Sequence, residues 1–167
     1  MSVLQSSQYI FLVDDEPIQN EMLKDYISER FQYKIKTYEN GESALKDMHL
    51  NPAMVVLDFH LNAHLPDAKN GVEVLKEMKA ASPHTEVIML SGQDKLDVAV
   101  DSMKHGAYDY VVKGETAFSR MENILNNVSQ LGNMRDANHA YRRVITGLVV
   151  AITVVVLVSI YLVTKLK

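Results

Sequence analysis

Four short β-prone runs in this chain each stop at a residue able to do chemistry. Tyr9 to Val13 stops at Asp14-Asp15, Met54 to Leu57 at Asp58, Glu86 to Leu90 at Ser91, and Tyr110 to Val112 at Lys113. Taken alone, a carboxylate at a strand end is more often a helix cap or a solvated loop residue. The combination matters, because ligands in an open α/β sheet bind outside the carboxyl ends of the strands, where the strand order reverses. Such a sheet would gather three carboxylates, a hydroxyl and an ammonium at one edge. The three carboxylates would repel one another and raise their pKa values, so a divalent cation is the simplest means of keeping them charged. Magnesium prefers such oxygen ligands and retains several waters, which leaves room for a phosphoryl group.

The segments between these runs read as helices. Pro17 opens a stretch with apolar residues at Ile18, Met22, Leu23, Tyr26 and Ile27, a strand followed by an amphipathic helix. Tyr33 to Tyr38 is β-prone, and Asn40-Gly41 punctuates it before a short helical stretch through Met48. Val72, Leu75 and Met78 mark a third helix, and Asp94 is a candidate N-cap for a fourth over Lys95 to Lys104. Phe118, Met121, Ile124, Leu125, Val128 and Leu131 recur at helical spacing in a fifth. Five alternations of strand and helix in about 130 residues indicate a parallel sheet covered on both faces.

The net charge of −4 averages two unlike regions. Residues 1–132 carry 12 Lys/Arg against 20 Asp/Glu, whereas residues 133–167 carry 5 against 1. The acidic globular part disfavours direct nucleic-acid binding. There is no Cys, which excludes disulfides, thiolate metal sites and Cys nucleophiles. The first apolar run is only five residues long, unlike a signal peptide. Val144 to Thr164 holds 21 consecutive uncharged residues. As a helix rising about 1.5 Å per residue it reaches roughly 31 Å, which matches a bilayer core of about 30 Å. A buried core helix or strand is the competing reading, but uncharged runs beyond about 18 residues favour a span. The chain is expected to divide into a domain over 1–132, a connector over 133–143, a transmembrane helix over 144–164 and a tail over 165–167. Whether the connector extends the fifth helix stays open.

FLVDDEP, MVVLD, VIMLSG and GAYDYVVK, in that order, resemble the four signature stretches of bacterial response-regulator receiver domains. The resemblance covers residues 9 to 131. It implies a flavodoxin-like α/β fold, a five-stranded doubly wound parallel sheet in the order 2-1-3-4-5. It further implies that Asp58 attacks the phosphorus of a phosphohistidine on a histidine kinase or phosphotransfer protein, forming an acyl phosphate. Asp15, Asp58 and the backbone carbonyl of His60 would hold Mg2+, with Asp14 acting through a metal-bound water. Lys113 would stabilise charge on the phosphoryl oxygens. Ser91 would hydrogen-bond the attached phosphate, with Tyr110 as the aromatic switch that turns inward beside it. Gln93 matches a position that tunes dephosphorylation. Such a domain is a phosphoacceptor rather than an enzyme in the usual sense, and it signals to a downstream protein through Lys95 to Gln130. Its phosphodonors are intracellular, and Arg135, Arg142 and Arg143 precede the apolar stretch, so the domain is expected on the cytoplasmic side of a membrane crossed once.

Two departures from the family pattern stand out. Gly114 follows Lys113 where the family commonly has a cis proline, which loosens the expected placement of Lys113. Twelve residues separate Asp58 from Gly71, more than is usual, and include Leu65-Pro66-Asp67. That loop reads first as a surface insertion and second as a selector of the phosphodonor or a shield for the phosphate. His60 and His64 within it are a weak signal for a transition metal. The alternative function is a receiver-fold scaffold or dimerisation module at the membrane that works without phosphorylation. Gly147 and Ala151 form a small-xxx-small pair that could pack two spans in a homodimer. A transcription factor would need a DNA-binding domain that these residues do not supply.

Overall fold

In the first strand Phe11 and Val13 face one side and Ile10 and Leu12 the other, and all four are buried. A strand buried on both sides needs helices on both, and the structure, a computed structural model, supplies them. It describes residues 8–61, 69–92 and 95–165, with side chains left out at 131–140, 142–143, 154–161 and 163–165. Strands β1 (Tyr9–Val13), β2 (Lys34–Tyr38), β3 (Met54–Asp58), β4 (Glu86–Ser91) and β5 (Asp109–Val112) pair in parallel in the order β2-β1-β3-β4-β5. The helices are α1 (Pro17–Arg30), α2 (Gly41–Lys46), α3 (Gly71–Ala81), α4 (Leu96–Lys104) and α5 (Ala117–Lys165), with a 3-10 turn over Met48–Leu50. The expected fold class and strand order are therefore found.

Period-two alternation sorts the core into two layers. Phe11, Val55, Leu57, Val87, Met89 and Tyr110 meet α2 and α3 on one face. Ile10, Leu12, Val56, Ile88 and Val111 meet Leu23 and Ile27 of α1 and Met121, Ile124 and Leu125 of α5 on the other. Leu125 is fully buried, and truncating such a residue to Ala costs about 2–5 kcal/mol, a large share of a domain's typical 5–15 kcal/mol.

Two local expectations are corrected, and one open question is answered. The buried column of α1 is Asn20, Leu23 and Ile27, whereas Ile18 and Met22 are exposed. Leu23 and Ile27 are buried as expected, and Asn20 joins them because it finds partners inside. The cap of α4 is Lys95, with no side-chain capping bond, and Asp94 lies outside the described residues. The question left open at the connector is answered, since the fifth helix continues to Lys165.

Two compact units divide the chain, Met1–Val128 and Ser129–Lys167. The first contains the sheet. The second consists of the later part of α5, along which Val144, Ile145, Leu148, Val149, Val150 and Ile152 are exposed. Among the described residues no helix is long and apolar enough to cross a membrane. The span expected over Val144 to Thr164 is thus not borne out among them, and the side chains at 154–161, in the middle of that stretch, lie outside the description.

Candidate functional site

The strand order reverses between β1 and β3, so the crevice at their carboxyl ends is the place for a ligand. Asp14 follows β1 and Asp58 closes β3. The register pairs Val13 with Leu57 and Asp58 with Leu90, which sets the acidic ends side by side. Asp14, Asp15 and Asp58 each offer a carboxylate oxygen, and these oxygens lie within 4.8 Å of one another. Asp14 and Asp58 are 4% and 2% exposed, and Asp15 beside them is half-buried.

Lys113 completes it from the end of β5. Its Nζ lies 2.7 Å from Asp14 Oδ2 and 3.0 Å from Asp58 Oδ1. On the strand side of Gly114, Lys113 N donates to Ser91 O at 2.7 Å, which ties the end of β5 to β4. Asp58 Oδ2 accepts the His60 N–H at 2.7 Å. Burial pushes the Asp58 carboxyl above the usual range, against the nearby charge of Lys113, which pulls it down. Burial would lower Lys113, yet its hydrogen bond to Asp14 and the charge of Asp58 outweigh that and hold the ammonium above its usual value. One cation thus faces two buried carboxylates, with the Asp15 carboxylate close beside them. Among the described residues, Asp58 Oδ1 is buried with no hydrogen bond beyond that ion pair, and an all-oxygen donor set of this kind suits a hard divalent cation.

The backbone around Asp58 is held by close contact. A Cβ on Gly71 would stand 2.3 Å from Asp58 O and 2.8 Å from Phe59 Cα, so only glycine lets α3 start here. Gly71 N donates to Phe59 O at 2.9 Å, closing the base of the long loop. The start of α3 is a full capping box. Asn70 Oδ1 accepts from Val72 N and Glu73 N, and Asn70 N donates to Glu73 Oε2.

Residues 10–126 match the response regulator receiver domain family. The chain belongs to that family. This receiver domain is 36% identical over 107 residues to the transcriptional regulatory protein CssR of Bacillus subtilis, covering 64% of this chain and 45% of that protein. It is 30% identical over 122 residues to the chemotaxis protein CheY of Thermotoga maritima, covering 72% of this chain and 97% of that one. A response regulator structure from Burkholderia pseudomallei, solved with a phosphorylated aspartic acid, calcium ion and citrate, superposes with a TM-score of 0.62 at 20% identity, over 77% of this chain and 72% of that one. The chain spans less than half the length of CssR. Receiver domains act in two-component signalling by phosphorylation on an aspartate.

The expected site residues fall into three groups. Asp14, Asp15, Asp58 and Lys113 come together as described, with the His60 backbone against Asp58. Ser91 is 1% exposed at the end of β4, and Tyr110 is 8% exposed in β5, packed in the layer that faces α3. Gln93, His64 and Leu65-Pro66-Asp67 lie outside the described residues. Two contributors were missed from sequence. Gly71 enters the sequence reading only as the end of the long loop, and Asn20 does not enter it at all. Its signal was there: it precedes Leu23 and Ile27 by three and seven residues, on the core column.

Proposed function

We propose that this receiver domain accepts a phosphoryl group on Asp58 from a phosphohistidine of a partner kinase or phosphotransfer protein. The observation that carries this reading is the Lys113 ammonium shared between the buried Asp14 and Asp58 carboxylates, at 2.7 and 3.0 Å. An Asp58 carboxylate oxygen attacks phosphorus as the phosphorus–nitrogen bond breaks, and the electron pair leaves with the imidazole nitrogen. The product is an acyl phosphate. Lys113 is already at the acceptor, so it meets the phosphoryl oxygens without travelling, and a pre-placed cation needs no reorganisation during transfer. Asp14, Asp15 and Asp58, with the His60 carbonyl, would hold Mg2+, which supplies charge compensation for the phosphoryl oxygens. The Ser91 hydroxyl donates to the attached phosphate, and Tyr110 follows the Ser91 loop, biasing the surface from Lys95 to Gln130 toward or away from a partner. Gln93 tunes the loss of the phosphate to water.

The uncharged stretch over Val144 to Thr164, flanked by Arg142, Arg143, Lys165 and Lys167, supports the finer reading that the domain is tethered to a membrane on its cytoplasmic side.

The acceptor is tested by incubating the full chain with magnesium and acetyl phosphate. An acid-stable, base-labile adduct should form and vanish in Asp58→Ala. No adduct with any donor sinks the reading. Fractionation tests the tether, since recovery of monomeric full chain without detergent contradicts it.

A further inference from the structure

We infer that Asn20 is a positioning residue for the magnesium site, holding the Asp14 peptide so that its carboxylate faces Asp58. This rests on the metal-assisted phosphoacceptor reading above.

Asn20 sits in α1, 4% exposed, on the same buried column as Leu23 and Ile27. Its Nδ2 makes two hydrogen bonds, to Asp14 O at 2.9 Å and to Tyr38 O at 3.1 Å. Tyr38 O also accepts from Asp14 N at 3.1 Å. The ends of β1 and β2 are thereby tied to one side chain of α1. The consequence for Asp14 is complete constraint. Its N and O are fixed by these bonds, its Oδ1 accepts from Glu16 N at 2.9 Å, and its Oδ2 meets Lys113. A carboxylate whose own peptide can rock will not keep its oxygen within reach of the Asp15 and Asp58 oxygens. The Asn20 amide removes that freedom without touching the metal position itself.

Packing does not require an amide here. A side chain of similar volume without polar atoms would fill the column above Leu23. The amide serves the two carbonyls, and only one of those belongs to a residue of the acidic cluster. Groups that orient metal ligands from outside the coordination sphere typically change metal affinity by about 10–100-fold when removed.

The test measures Mg2+ affinity by titration calorimetry on the full chain, for the native protein, Asn20→Leu and Asn20→Ser, with thermal unfolding of each. Asn20→Leu should remain folded and bind Mg2+ about 10–100-fold more weakly. Asn20→Ser, which keeps one donor, should fall between, and it decides the matter if Asn20→Leu does not fold. Affinity within twofold of the native value, with only the unfolding temperature lowered, overturns the inference by showing that Asn20 serves the strand ends alone. Failure of the native chain to bind Mg2+ is a separate result. It overturns the metal reading of the site, and this inference with it.

Discussion

Two lysine–aspartate clusters in this molecule use the same chemistry to opposite ends. At the edge of the sheet, Lys36 on β2 bonds Asp47, whose Oδ2 also accepts from Tyr38 Oη at 2.8 Å. The Lys36 and Asp47 side chains are 39% and 29% exposed. One cation meets one carboxylate within reach of water, and the bonds from Lys36 and Tyr38 hold the Asp47 carboxyl below its usual range, while burial and the bond to Asp47 raise the Tyr38 phenol. At the carboxyl ends of the strands, one cation meets two carboxylates, with a third, Asp15, in the same cluster. There burial outweighs Lys113, and the Asp58 carboxyl is raised. Burial and the count of charges, not the identity of the pair, separate an ornament of stability from a reactive centre.

The comparison breaks most sharply on activity. Asp58→Ala should abolish adduct formation, and Lys113→Ala should slow it by about 100–1,000-fold, the scale for removing one pre-placed group that stabilises transition-state charge. Asp47→Ala should leave the rate unchanged. Equal losses in a rapid-mixing phosphorylation assay would erase the distinction. Magnesium gives the next effect. At about 100 times its dissociation constant a ligand confined to the folded state adds about 2.7 kcal/mol, so unfolding curves with magnesium and with chelator should separate, and should merge in Asp15→Asn.

Without metal, Asp58→Asn should stabilise the chain by about 1 kcal/mol at pH 7, since it removes a buried charge from an unbalanced cluster. Asp47→Asn should destabilise it. The pH profiles should run in opposite senses. For Asp58 the folded pKa lies above the unfolded value of about 3.9, so the advantage of Asp58→Asn is full above the folded pKa and gone below the unfolded one. For Asp47 the folded pKa lies below the unfolded value. The stability it confers is present above the unfolded pKa and lost as pH falls through the folded one. Denaturant titrations from pH 7 downward read both slopes, and parallel slopes would refute the contrast.

Much of this was legible in the sequence. Five period-two or doubly apolar runs and five helical stretches give the sheet, and four polar strand ends give Asp14, Asp15, Asp58, Ser91 and Lys113. What was not legible depends on contacts across the fold. On α1 the pattern marks Leu23 and Ile27 correctly but adds the exposed Ile18 and Met22 and leaves out Asn20, because only the carbonyls of Asp14 and Tyr38 explain a buried amide. The hold on Lys113 comes from its backbone bond to Ser91, which composition cannot reveal. Gly71 reads as a turn residue until its distance to Asp58 O is known.

That junction has a further consequence for the loop it closes. Because Phe59 O and Gly71 N are already joined at 2.9 Å, the ends of the long loop meet wherever its middle goes. Lengthening a loop whose ends are fixed is cheap, about 0.6 kcal/mol for each doubling. The stretch between Phe59 and Gly71 is therefore a natural insertion port. A fluorescent reporter or a docking peptide spliced between Phe59 and Gly71 should leave the Asp58 backbone where Gly71 holds it.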